Sequence, residues 1–103
     1  MILMQVNKTK KGSELYAAIE GRVDTTTAPQ LDAALKDELS GITCLKLDFA
    51  AVNYISSAGL RVLLSLHKIM MRQGEMILLN VNQDLMGIFE VTGFVDILNI
   101  KNT

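Results

Sequence analysis

With 103 residues, half of them apolar, and ten basic against eleven acidic side chains for a net charge of −1, the chain has the size of one small domain and lacks the clustered basic face that nucleic acid requires. Its single Cys excludes an internal disulfide framework or a thiolate metal cluster, and its single His excludes an all-histidine metal site. Charges interrupt the apolar residues throughout, so no run approaches the roughly 20 residues of a membrane span; the opening MILMQVNKTKKG puts its apolar residues before its lysines, the reverse of a secretory signal, and the cytoplasm is the expected compartment.

Residues 2–7 form an apolar run that predicts a first strand, and Lys8 to Gly12 reads as a charged turn. Over residues 14–23, Leu15, Ala17, Ile19, Gly21 and Val23 alternate with Tyr16, Glu20 and Arg22, the period of a half-buried strand. These two strands suggest a hairpin. Asp24-Thr25-Thr26-Thr27 breaks the alternation, with Thr27 a candidate N-cap and Pro29 placed where a first helical turn tolerates it. Leu31, Ala34, Leu35, Glu38 and Leu39 follow at helical spacing up to Gly41. Leu45, Leu47 and Phe49 alternate with Lys46 and Asp48 in a third strand, and residues 57–73 carry the longest helical pattern, closed by Arg72 and Gly74. Residues 76–81 are nearly continuous apolar and predict a well-covered strand. A helix over Gln83 to Thr92 closed by Gly93 and a last strand over Val95 to Ile100 complete the chain. Glycines 41, 74 and 93 each follow a helix and read as left-handed stops. The order β-β-α-β-α-β-α-β implies an α/β fold: a single domain over 1–103 with a mixed β-sheet, an N-terminal hairpin, then alternating helices and strands joined by right-handed crossovers.

Catalytic signals are weak. A nucleophile at Ser56 or Ser57 has only His67 as a base, and ten residues along one helix is about 15 Å, beyond hydrogen-bond reach. No phosphate loop, dinucleotide fingerprint or zinc-protease motif occurs, and the aspartates show no metal-loop spacing, so no cofactor or metal is expected. Aromatics are 5% and Trp is absent, which disfavours base stacking. Cys44 reads as a small buried hydrophobe and His67 as a core or partly covered residue. On a wheel of the long helix, Arg61, Ser65, Lys68 and Arg72 share an arc of about 60°, and the apolar remainder is about twice the width one sheet contact needs. The surplus must pack on a neighbouring helix or on a partner protein.

Just before that helix the chain reads Asn53-Tyr54-Ile55-Ser56-Ser57-Ala58-Gly59. Small hydroxyls at a helix N-terminus face free N–H groups and a positive dipole end. Capping explains one serine. A second serine followed by Ala58 and Gly59, which keep bulk away, is the setting a phosphoacceptor needs.

The run LKLDFAAVNYISSAGLRVLLSLHKIMMRQGEMILLNV resembles the STAS domain of anti-sigma factor antagonists, as does GRVDTTTAPQLDAAL upstream. The resemblance covers essentially the whole chain and rests on Gly21 to Asp24, Leu45 to Phe49, and Ser57-x-Gly59-Leu60. It implies a binding module without enzymatic activity. The unmodified form would bind an anti-sigma factor that is also a serine kinase, freeing a sigma factor; phosphorylation would end the complex and a serine phosphatase would restore it. The acceptor would be Ser57, with Ser56 as the alternative, and the partner surface would comprise Asp24, Thr25, Thr26, Ser56, Ser57, Ala58, Gly59, Leu60 and Arg61. Neither nucleic-acid binding nor membrane insertion is implied. Many members have Asp where this chain has Ser56, and Ser or Thr where it has Ala58. A non-switching STAS scaffold, as in lipid-transport ATPase or signalling complexes, is the alternative function, and a small-ligand carrier a third.

Overall fold

The computed structural model describes residues 4–101. Period-two sequences give a sheet in the simple order β1-β2-β3-β4-β5, formed by Met4–Lys11 (β1), Glu14–Val23 (β2), Cys44–Ile55 (β3), Glu75–Leu79 (β4) and Asn99–Lys101 (β5). β1 and β2 are antiparallel, while β2-β3, β3-β4 and β4-β5 are parallel. The three parallel joins carry the helices Ala28–Lys36 (α1), Ser57–Met71 (α2) and Gln83–Thr92 (α3). Each new strand is added on the same side of the last, so right-handed crossovers set all three helices on one face. Between them and the sheet lies one core that includes Leu15, Ile19, Leu45, Leu47 and Phe49 from the strands and Leu31, Leu35, Leu63, Leu66 and Phe89 from the helices. The alternate residues Tyr16, Lys46 and Asp48 line the sheet's uncovered face and are half-buried.

The observed elements correct several expectations. β1 continues through the lysines to Lys11, so the turn is shorter than Lys8 to Gly12 and holds Gly12 at φ +59°; residues 2 and 3 of the expected strand lie outside the described residues. An edge strand needs little apolar surface, and lysines there discourage pairing with another chain. α1 ends at Lys36 with Asp37 as its C-cap, so Gly41 lies in the following loop and does not stop the helix. Leu39 is in that loop yet buried. α2 ends at Met71, and Gly74 is not left-handed: a β-carbon there would fall 1.8 Å from the Thr43 carbonyl oxygen, so close backbone approach demands the glycine. Only Gly93, at φ +80°, caps its helix as expected. β4 stops at Leu79 before Asn80, whose φ is +57°. The expected strand over Val95 to Ile100 is instead a 3-10 turn, Phe94–Asp96, followed by the short β5.

The largest difference is β3, which does not end at Phe49. Relative to β2 it takes an extra residue twice: Ala18 pairs with Asp48 but Glu20 with Ala51, and Gly21 pairs with Val52 but Arg22 with Tyr54. Each bulge reverses the parity of the strand, so the buried positions run 45, 47, 49, then 52, then 55. The alternation breaks while the strand continues straight into α2.

The surplus apolar arc of α2 is covered from within. Leu60, Leu63, Leu66 and Met70 are buried, Val62 and Ile69 pack partly on the core, and α1 lies alongside. Arg61, Lys68 and Arg72 are exposed and Ser65 and His67 half-buried; Met71 is left exposed.

Candidate functional site

The C-terminal ends of β2 and β3 lie side by side, with Val23 opposite Ile55. Each strand then turns into its helix, and the two turns form the site. In the first turn Asp24 folds back on the chain. Its Oδ1 accepts the N–H groups of Thr26 at 2.9 Å and Thr27 at 3.0 Å. Thr27, at the N-cap position, makes no side-chain cap to its helix. Its buried hydroxyl accepts the Asp24 N–H at 2.9 Å and donates to the Arg22 carbonyl at 2.7 Å. The Asp24 carboxylate thus folds the turn ahead of α1 without capping the helix itself, and Thr27 is the latch that closes the loop on β2. The Thr27 N–H, helped by the N–H of Thr26, the Thr27 hydroxyl and Arg22, holds the Asp24 carboxyl below its ordinary range despite partial desolvation. Thr25 and Thr26 are exposed.

In the second turn the Ser56 N–H donates to the Val23 carbonyl at 2.8 Å, tying it to the first. Ser56 is the N-cap of α2, and its Oγ accepts the Gly59 N–H at 3.4 Å. Ser57 follows as the first helical residue and is exposed. Gly59 allows this proximity: a β-carbon there would fall 2.7 Å from Cγ1 of both Val23 and Ile55 and 3.1 Å from the Val23 carbonyl oxygen. Gly59 and Leu60 are buried, so they seat the turn on β2 and do not themselves present surface. Ala58 is half-buried, and Arg61 one turn along is exposed. The expected residues thus cluster at the two turns, with Thr25, Thr26, Ser57 and Arg61 exposed and Asp24, Ser56 and Ala58 half-buried.

Sequence reasoning missed two neighbours. Arg22 stacks its guanidinium 4.5 Å from the centre of the Tyr54 ring, and its Nε lies 3.7 Å from Asp24 Oδ2. Their pairing is created by the second bulge of β3, which no period in the sequence signals. Elsewhere, Asn82 caps α3 through the Leu85 N–H and donates to the Val52 carbonyl, holding the bulged segment from its other side. Cys44 is half-buried, not fully so, and desolvation followed by the charges of Glu75 and Glu14 pushes its thiol above the ordinary range. Among the described residues no three His, Cys, Asp or Glu side chains converge as a metal site would need, and no helix is long and apolar enough to cross a membrane.

A family model described as the STAS domain matches residues 5–103. The chain belongs to the STAS family. The anti-sigma-B factor antagonist of Listeria monocytogenes is 37% identical over 87 residues, which are 82% of this chain and 75% of that protein. An anti-sigma factor antagonist from Mycobacterium paratuberculosis superposes with a TM-score of 0.87 at 18% identity, covering 97% of this STAS domain and 86% of that chain. SpoIIAA, an anti-sigma factor antagonist of Bacillus, matches with TM-scores of 0.73 unphosphorylated and 0.74 phosphorylated, each at 16% identity over 97% of this chain and 88% and 90% of theirs. The five-stranded mixed sheet is thus the STAS fold, and both SpoIIAA forms share it.

Proposed function

We propose that this STAS domain is a cytoplasmic anti-sigma factor antagonist switched at Ser57. Unphosphorylated, it binds an anti-sigma factor with serine kinase activity and releases the sigma factor. The kinase moves the γ-phosphoryl group of ATP to Ser57 Oγ, the hydroxyl proton leaves, ADP departs, and the complex separates. A serine phosphatase resets the switch. The observation that carries this reading is the placement of Ser57: exposed at the first position of α2, on a turn pinned to the Asp24 loop. Ser56 is the weaker acceptor because its hydroxyl is engaged as the cap.

A phosphate adds about −1.5 to −2 charges. Inside an interface it shares the two tied turns with the Asp24 carboxylate, a like charge held ionised by the Thr27 and Thr26 N–H groups. A loss of about 3 kcal/mol weakens binding about 150-fold. In the free protein the unsatisfied N–H groups opening α2 accept the anion, so the fold survives. The likeness of this fold to both SpoIIAA forms supports a switch that acts on the partner and not on the fold.

The test is to incubate the protein with the anti-sigma kinase of its own organism and ATP, map the phosphopeptide, and measure affinity by calorimetry. The expected results are label on Ser57, none on Ser57→Ala with its affinity retained, and a Ser57→Asp variant weakened about 100-fold. Undiminished labelling of Ser57→Ala would remove Ser57 as acceptor. No label at any residue would leave the constitutive scaffold as the better account.

A further inference from the structure

We propose that Tyr54, held in place by Arg22, is the aromatic anchor by which this STAS domain grips its anti-sigma factor, and that the partner receives the ring in an apolar pocket edged by a carboxylate facing Arg22. The inference rests on the proposed antagonist function, since it names further residues of the same surface.

Position comes first. Tyr54 and Ser57 are three residues apart, so their Cα atoms lie within about 11 Å in any conformation. A standard interface takes about 800 Å² from each partner, a patch roughly 30 Å across. An interface centred on Ser57 therefore reaches Tyr54. Tyr54 is 38% exposed, on the stretch of β3 that has run past its pairing with β4, which ends at Asp48. Among the described residues the other exposed large apolar side chains are Met71, at the opposite end of α2, Val91 on α3, and Ile97 after the 3-10 turn. Of these four, Tyr54 is the nearest to Ser57 along the chain.

Preorganisation comes second. The ring is backed by the Arg22 guanidinium at 4.5 Å, and the two residues are cross-strand partners. A side chain fixed before docking loses less entropy when it docks. Tyr and Arg are among the residue types that most often dominate binding energy, and here they form one unit. Arg22 remains 54% exposed, and its contact with Asp24 at 3.7 Å is too long for a hydrogen bond. Its N–H groups are therefore available to a carboxylate of the partner. The link to Asp24 also joins the anchor to the loop that the Ser57 phosphate would repel.

The experiment compares wild type, Tyr54→Ala, Tyr54→Phe, Arg22→Gln and Ser57→Asp for affinity toward the unphosphorylated anti-sigma kinase of the same organism, with circular dichroism and thermal unfolding as folding controls. Tyr54→Ala is expected to bind about 30-fold more weakly while unfolding within a few degrees of wild type. Tyr54→Phe, which keeps the ring, should recover most of the loss, and Arg22→Gln should fall between. If Tyr54→Ala binds within twofold of wild type while Ser57→Asp is weakened, the anchor is overturned and the phosphorylation reading stands. If Ser57→Asp also binds as wild type, the phosphorylation reading falls with it. Should Tyr54→Ala fail to fold, equal affinity of Arg22→Gln and wild type would overturn the anchor.

Discussion

Three glycines inside or beside helices show how differently one residue type is used. Gly87, in the middle of α3, has nothing within 4 Å of where a β-carbon would stand and has ordinary helical backbone. There glycine only costs helix stability, so Gly87→Ala should stabilise the protein by about 0.5–1 kcal/mol. At Gly74 the β-carbon would meet rigid backbone at 1.8 Å, and the α2-β4 turn would have to move away from Thr43, whose carbonyl accepts the Glu75 N–H. Gly59 is intermediate. Its would-be neighbours are branched side chains with a carbonyl behind them, so overpacking should cost Gly59→Ala about 1–3 kcal/mol and shift the start of α2 off β2. Urea denaturation of the three alanine variants tests the ranking: 87 above wild type, 59 below it, 74 lowest. A Gly59→Ala variant as stable as wild type would show that the Ser56-Ser57 turn is not fixed by this contact.

At the scale of elements, the two turns at the ends of β2 and β3 depend on different chemistry. The α2 turn has a true N-cap, whereas the α1 turn is closed by the Thr27 hydroxyl, buried and bonded on both sides. Thr27→Val keeps the shape but strands the Asp24 N–H and the Arg22 carbonyl, an expected cost of about 1–3 kcal/mol. Amide exchange at residues 24–27 should quicken more than in β2, and unchanged protection there would refute the latch. Neither this latch nor the Arg22-Tyr54 pair is readable from the sequence, because both join residues whose proximity comes from backbone geometry and not from spacing. The helices are readable because Leu31 and Leu35, Leu63, Leu66 and Met70, and Leu85 and Phe89 repeat at the helical period and become the core contacts. β3 is readable only to Phe49, since the parity of its buried residues then changes twice. At the C-terminal end the strand-like apolar pattern misleads, because Val95 lies within the 3-10 turn and Ile97 is its C-cap. Ser56, Ser57, Gly59 and Asp24 are legible as a family pattern; that Gly59 and Leu60 work from beneath the surface is not.

Across the whole molecule, two carboxylates stitch the sheet's uncovered face: Glu14 on β2 lies 3.1 Å from the Lys46 ammonium on β3, and Asp48 joins more partners. Asp48 on β3 accepts the Tyr16 hydroxyl from β2, the Asn80 amide beyond β4 at 3.0 Å and the Ala50 N–H at 2.9 Å. Desolvation pulls its pKa upward, but the three donors outweigh it and hold the carboxyl below its ordinary range, while the bond to Asp48 pushes the Tyr16 hydroxyl above its own. These shifts give stability two edges. For Asp48 the folded pKa lies below the unfolded value, near 3.9, so the unfolded chain binds more protons in that window; the contribution is complete above it and is lost as pH falls through the folded pKa. Asp24, shifted the same way, adds to this acid edge. For Tyr16 the folded pKa lies above the unfolded value, near 10, so its contribution is complete below that and is lost as pH rises through the folded pKa. The Cys44 thiol, raised by burial, joins the alkaline edge and starts it earlier, so urea midpoints should be level from about pH 5 to 8 and fall on either side. Asp48→Asn should cost about 1 kcal/mol at pH 7, less than a fully buried charged bond because water reaches the site, and the gap from wild type should narrow toward pH 3 as Asp48 itself protonates. Tyr16→Phe should show its gap closing on the alkaline side instead. A gap that stays constant with pH in either variant would mean that the contact stabilises by packing alone, and that the proton-linked stitch across β2, β3 and β4 does not operate.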